Sequence, residues 1–407
     1  MSLLAFSLAG ALSCASSGSS GDNDAASDDD TATADDDPAN GGTSDDDTES
    51  NDDDFAVNDD DDDGAPDDDD NDADPPPVTL FSVGHTSTSS DQGTCRIRRR
   101  IDDEWVTIGD WDECGFNELW GSSPSDLYAV GFRGNGWFYE FESFERFLVH
   151  YDGTDWTVTA MPNALPWLLT DVHGAFADDV YVTGWGPYAF TSEIDHFDGS
   201  SWRVVWRHWL ANDILYAIAA SPSGLVVAAG ACEADSGYGT LFVVREHGTW
   251  MRHCLDADYF SEIRSVWIAS DDQVFAAVGR RVMRYAQGAW TTMTAPGLDD
   301  VSYIDDIMGT SPTNIFATAV MRSGAMALLH LDGARWIATG LPIFLARDIY
   351  ARSLGLWVAS PNSIYASATV YASYGQSESC FVHYDGFRVQ TLATEPAIGE
   401  LWGFVEP

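Results

Sequence analysis

Lysine is absent from all 407 residues, and 19 arginines face 66 carboxylates, for a formal net charge of −47. Such a surface repels phosphate backbones and anionic lipids, which excludes nucleic acid and leaves a lipid anchor as the one route to a membrane. Long apolar runs are missing as well; the one at residues 1–14 is too short to cross a bilayer as a helix. Cysteine is scarce. Apart from Cys14, the chain has Cys95, Cys114, Cys232, Cys254 and Cys380, none at zinc-ligand spacing, so no metal cluster is expected. His-Glu-x-x-His, Gly-x-Ser-x-Gly and a glycine-rich phosphate loop are absent too, which leaves an enzyme unsupported.

What is present is repetition. Leu119-Trp120-Gly121-Ser122-Ser123-Pro124-Ser125-Asp126-Leu127-Tyr128 is answered by Val149-His150-Tyr151-Asp152-Gly153-Thr154-Asp155-Trp156, and both halves recur along the chain. With Trp120 as marker, the counterparts are His173, Ala219, Trp267, Met308, Trp357 and Trp402, at steps of 53, 46, 48, 41, 49 and 45 residues. A hairpin glycine keeps pace at Gly153, Gly199, Gly248, Gly288, Gly333 and Gly386. Four short apolar runs per unit at a period in the forties predict the blade of a β-propeller. Proline presets φ in the Ser-Pro-Ser-Asp turn, and Asp-Gly between two apolar runs signals a hairpin. Each unit therefore reads as strands a to d, with tight turns a–b and c–d. A β-sandwich would not repeat one motif this often.

The ends of the chain set the count. Thr79–Gly84 reads as a strand b with no strand a before it, and Glu400–Phe404 as a strand a with nothing after it. Six complete units plus one assembled from both termini predict an all-β, seven-bladed β-propeller over residues 78–407, closed by Leu401–Phe404 against Leu80–Val83. Closure removes two exposed strand edges.

Residues 15–77 hold 25 Asp and one Glu without a single Arg. Such a tract cannot bury enough surface to offset chain entropy and is expected to be a disordered acidic linker. Asp59, Asp61, Asp63 and Asp67 overlay an Asp-x-Asp-x-Asp-Gly calcium loop of the thrombospondin type 3 kind. The solvated linker is the preferred reading, and no cofactor is expected. Residues 1–14 resemble a bacterial lipoprotein signal peptide, with Cys14 as the lipidated residue, although no basic residue precedes the apolar run and Ala11 stands three before the cysteine. This implies export and anchoring at the cell envelope, with plain secretion as the alternative. In an exported protein, Cys95 with Cys114 and Cys232 with Cys254 would form disulfides within blades, with buried thiols as the alternative and Cys380 left over.

The marker and hairpin motifs together resemble the propeller repeats of secreted lipoproteins from myxobacteria and other deltaproteobacteria. The Asp-Gly-Thr-x-Trp hairpin is similar to the Asp box of sialidase-type propellers, without its Ser-x-Asp. The resemblance implies the fold and assigns no activity. His150, His196, His330 and His383 recur at one repeat position and read as scaffold. Aromatics that occur once fall on the long b–c and d–a connections: Trp137, Phe138, Tyr139 and Phe141, then Trp167, Trp185, Tyr188, Trp206 and Trp209. They predict a face near blades one and two that binds extracellular glycan or protein, unless they merely cover blade edges. A polysaccharide hydrolase or lyase is the rival, needing carboxylates such as Glu140, Glu142, Asp258 or Glu262 at the channel mouth; a purely structural envelope protein is the third possibility.

Overall fold

Each unit is built from its turns. Asp152 Oδ1 accepts the N–H groups of Thr154 and Asp155 at 2.9 Å, with Gly153 between them at φ 92°. Asp198, Asp332 and Asp385 repeat this bond pattern. Blades three and four, whose motifs are degraded, turn instead through His247-Gly248 and Gln287-Gly288, with every φ positive. That is the two-residue hairpin whose twist matches the strands it joins.

The computed structural model describes residues 77–88, 91–134, 145–159, 161, 168–186, 191–208, 212–235, 237, 239–256, 263–344, 351–353, 355–371, 377–395 and 399–406. Among the described residues every regular element is a strand. The shared blade begins with β1 (Val78–Thr88), β2 (Asp91–Ile101) and β3 (Glu104–Asp112). Blade one is β4 (Cys114–Ser123), β5 (Asp126–Arg133), β6 (Glu145–Tyr151) and β7 (Trp156–Val158). Blade two is β8 (Leu168–Phe176), β9 (Asp179–Gly186), β10 (Thr191–Phe197) and β11 (Trp202–His208). Blade three is β12 (Ile214–Ala220), β13 (Val226–Cys232), β14 (Gly239–Glu246) and β15 (Thr249–Asp256). Blade four is β16 (Ile263–Ser270), β17 (Gln273–Val278), β18 (Arg281–Ala286) and β19 (Ala289–Thr292). Blade five is β20 (Val301–Ser311), β21 (Asn314–Met321), β22 (Ala325–Leu331) and β23 (Trp336–Phe344). In blade six β24 (Ala351–Ser353) and β25 (Leu356–Ser360) both pair β26 (Ser363–Tyr371), which leads to β27 (Ser377–Tyr384) and β28 (Val389–Glu395).

β29 (Leu401–Val405) then returns to β1, with Val78 opposite Val405, Phe81 opposite Trp402 and Ser82 opposite Leu401. The ring closes as the termini predicted. Seven sheets stand around it, and the first strands of successive blades touch one another.

The marker residue explains how blades lock together. Trp120 packs over Gly174 of the next blade so closely that a Cβ there would come within 2.5 Å of its ring. Trp267 covers Gly309 and Trp357 covers Gly403 in the same way, while Trp402 donates its Nε1 to Gly121 O. Where the marker is smaller, the next blade has a larger residue. His173 meets Ala220, Ala219 packs in one cluster with Ile268, and Met308 in one with Val358. Size is matched at all seven seams, because a close-packed interior tolerates neither voids nor overlap.

The recurring histidines have a physical role in the scaffold. His150, His196, His330 and His383 each stack on an aromatic ring of their own blade at 4.2–4.4 Å. Each Nε2 meets the polar residue that opens the second strand: Asp126, Asp179, Asn314 and Ser363.

Sulfur bridges join Cys95 to Cys114 and Cys232 to Cys254. The second lies within blade three. The first does not stay within a blade, contrary to the expectation: Cys114 opens β4, so the bridge ties the shared blade to blade one. Cys380, expected to be left over, is not a free thiol.

Candidate functional site

In each of blades one to five the innermost strand carries a bulge two residues before the marker, as between Leu169 and Asp171 or between Ile304 and Asp306. A bulge frees backbone N–H groups, and carboxylates take them up. Asp171 accepts Val172 N and, from the next blade, Ile218 N, both at 2.6 Å. Asp306 likewise accepts Ile307 N at 2.8 Å and Leu356 N of the next blade at 3.0 Å. Burial pushes Asp171 up to about 8 and Asp306 up to about 6. Glu118 is raised well above the carboxylate range by burial, then by Glu400 and Asp171. These inner carboxylates brace the ring, since their oxygens are engaged by backbone.

A second group of charges includes carboxylates at strand positions that other blades fill with apolar residues. It lies at the long-loop end of blade two. Arg146, at the start of β6, bonds Glu193 at 2.6 Å and Asp195 at 2.9 Å across the seam. Arg207 of β11 bonds Glu193 from within the blade. Glu193 and Asp195 are 1% and 2% exposed. Burial, opposed by Arg146 and reinforced by Glu193, moves Asp195 up to about 7. Its Oδ1 faces no donor; a proton held there would let Asp195 donate to Glu193.

The opposite side of blade two is charged as well. Asp213, fully buried, receives a two-pronged bond from Arg252 at 2.7 and 2.8 Å, and His208 Nδ1 lies 2.9 Å away. Ser192 Oγ donates to Asp213 O at 2.8 Å.

Of the aromatics that the sequence singled out, two are described, and both are half-buried. Trp185 stands opposite Ser192 and Trp206 opposite Ile194, so they share the side of blade two that faces blade three. Trp206 also stacks on His208 at 6.1 Å. Trp137, Phe138, Tyr139, Phe141, Trp167, Tyr188 and Trp209 lie outside the described residues, as do Glu140, Glu142, Asp258, Glu262, Cys14 and the run Asp59, Asp61, Asp63 and Asp67.

Sequence reading missed Arg146, Glu193, Asp195, Asp213 and Arg252, although a signal existed. Aligned on the recurring histidine position, Glu193 and Asp195 stand where other blades have Phe147 and Val149, Phe242 and Val244, Ala327 and Leu329, or Cys380 and Val382.

The fold places this chain among seven-bladed β-propellers. No family model matches it, and neither does any curated protein. Similar solved structures include YCF48 from Cyanidioschyzon merolae, 15% identical over 69% of this chain and 85% of that one, TM-score 0.43. A protein from Lactobacillus plantarum is 13% identical over 80% and 99%, TM-score 0.49. The SapL1 lectin, in complex with alpha methyl fucoside, is 13% identical over 70% and 96%, TM-score 0.46. At such identity, function has to be read from this chain's own residues.

Proposed function

We propose that this propeller is a non-catalytic recognition module of the cell envelope, exported and held by a lipid anchor at Cys14, that binds extracellular glycan or protein through the long-loop end of blades one and two. The observation that carries the reading is the charge buried on both sides of blade two. Burying ion pairs costs desolvation that apolar packing avoids. Blade two carries more of them, Arg146 with Glu193 and Asp195 on one side and Asp213 with Arg252 on the other, than the Arg264–Asp305 pair places between blades four and five. The charges of blade two fix the roots of the loops that bear Trp137, Tyr188 and Trp209, and Trp185 and Trp206 lie beside them. Aromatic faces over a rigid polar base suit a sugar or an exposed peptide.

The test is an array of glycans and envelope proteins probed with wild type and with Trp185→Ala/Trp206→Ala. Each lost stacking contact should cost about 0.5–1.5 kcal/mol beyond area burial. Binding unchanged by the double substitution would eliminate this face.

A hydrolase or lyase is the second reading, and it needs carboxylates at the channel mouth, for which Glu140, Glu142, Asp258 and Glu262 are the candidates. Turnover of any arrayed glycan would decide for it. Neither binding nor turnover would leave a structural envelope protein.

A further inference from the structure

Different seams are closed by different means. Between the shared blade and blade one, Trp156 of β7 donates Nε1 to Ile108 O at 3.0 Å and packs on Trp111. Between blades two and three, Arg245 reaches across to Tyr181 Oη at 3.4 Å. Among the described residues, the seam between blades one and two has neither closure. Trp202 takes the repeat position of Trp156, and Thr159 that of Ile108, but Trp202 Nε1 makes no hydrogen bond to any described residue. Phe197, paired with Val180, holds the place of Arg245 on the face turned to blade one, and it offers no donor across the seam. A groove of about 560 Å³ opens instead, lined among others by Tyr128, His150, Thr159, Phe197, Ser201 and Trp202.

We propose that this groove is a binding site for one neutral sugar residue, a chain end or branch of a glycan, separate from the long-loop end of blade two. Three observations converge on that ligand. Trp202 and Phe197, half-buried and with ring centroids 5.4 Å apart, supply aromatic faces suited to the C–H face of a pyranose. Tyr128 Oη, Trp202 Nε1 and the Thr159 and Ser201 hydroxyls have no hydrogen-bond partner among the described residues, so the groove offers polar groups beside those faces. No arginine lines it, and Asp126 stands 2.7 Å behind His150. This arrangement disfavours an acidic sugar or a phosphate. The volume lies within the range of sites that enclose small ligands.

Ser201 belongs to the c–d turn, so the groove opens toward the tight-turn end of the ring, away from the long loops. The two sites can therefore fail independently. Saturation-transfer NMR and calorimetric titration with methyl glycosides of neutral hexoses and N-acetylhexosamines would test the groove. Wild type should bind at least one glycoside. Trp202→Phe, which removes the indole N–H and part of the face, should weaken that binding roughly 3- to 10-fold. Thr159→Arg, which fills this seam as Arg245 fills the next, should abolish it while the melting temperature holds. Three results would overturn the assignment: no glycoside bound by wild type, binding that survives Thr159→Arg, or binding lost only in Trp185→Ala/Trp206→Ala. The last would move the sugar to the long-loop end and leave the recognition function standing.

Discussion

Asp195 and Asp171 make stability depend on pH in an unusual direction. An unfolded carboxyl titrates near 4, whereas the folded protein keeps these two protonated to about 7 and about 8. The native state then binds more protons, and stability falls as pH rises from about 4 toward 8. His173 acts oppositely: burial lowers it to about 4 from 6.5, so its contribution is lost as pH falls through that range. Between pH 6.5 and 8 only the carboxyl effect remains. The melting temperature should therefore rise when pH is lowered from 8 to 6.5, and a flat or falling curve there would refute it. Asp195→Asn imitates the protonated acid, keeping an oxygen for Arg146 and offering N–H groups to Glu193. It should stabilise the protein at pH 8 by ~1 kcal/mol and flatten the slope. At this scale the sequence showed which residues depart from the repeat but not which face each one takes. The carboxyls of β10 were visible as departures; their partner Arg146 was not, because it comes from another blade.

At the scale of the strand, the seams decide which substitutions are tolerated. Gly174→Ala forces a methyl against the Trp120 ring and should destabilise by about 1–3 kcal/mol. Adding Trp120→His recreates the His173–Ala220 pairing, so the double variant should lose less than the two singles combined. A double-mutant cycle by denaturant unfolding measures this directly. Simple additivity would show that the pair does not interlock. The Trp-Gly motif was plain in the sequence, and so were the blade count and the strand limits it implies. What it concealed is that the tryptophan of one unit meets the glycine of the next. The weak motifs of blades three and four follow from this: Ala219 with Ile268 is a seam of another size, and their c–d turns use positive-φ residues where other blades have aspartate.

At the scale of the molecule, closure rests on β29. Deleting residues 399–407 removes the ladder with β1 and the Trp402 lock on Gly121, so the melting temperature should fall far more than after trimming a free tail. An unchanged melting temperature would mean that the ring does not depend on its closure. The anchor is tested separately. Cys14→Ser should release the protein from membranes into the soluble fraction, and retention would refute lipidation at that residue.

The matched seams also bear on how such a ring can grow. A blade that receives its neighbour at glycine and presents tryptophan onward can be copied into any Trp–Gly joint without mismatch. Blade one and the shared blade are such units by themselves. Blades two to four are one only as a group, entering at Gly174 and leaving at Trp267, and blades five and six only as a pair, from Gly309 to Trp357. Because the shared blade is split between the two chain ends, gene duplication working on this chain would find three contiguous cassettes rather than seven, of one, three and two blades. Descendants that gained or lost blades by exchange at these joints would do so in those increments.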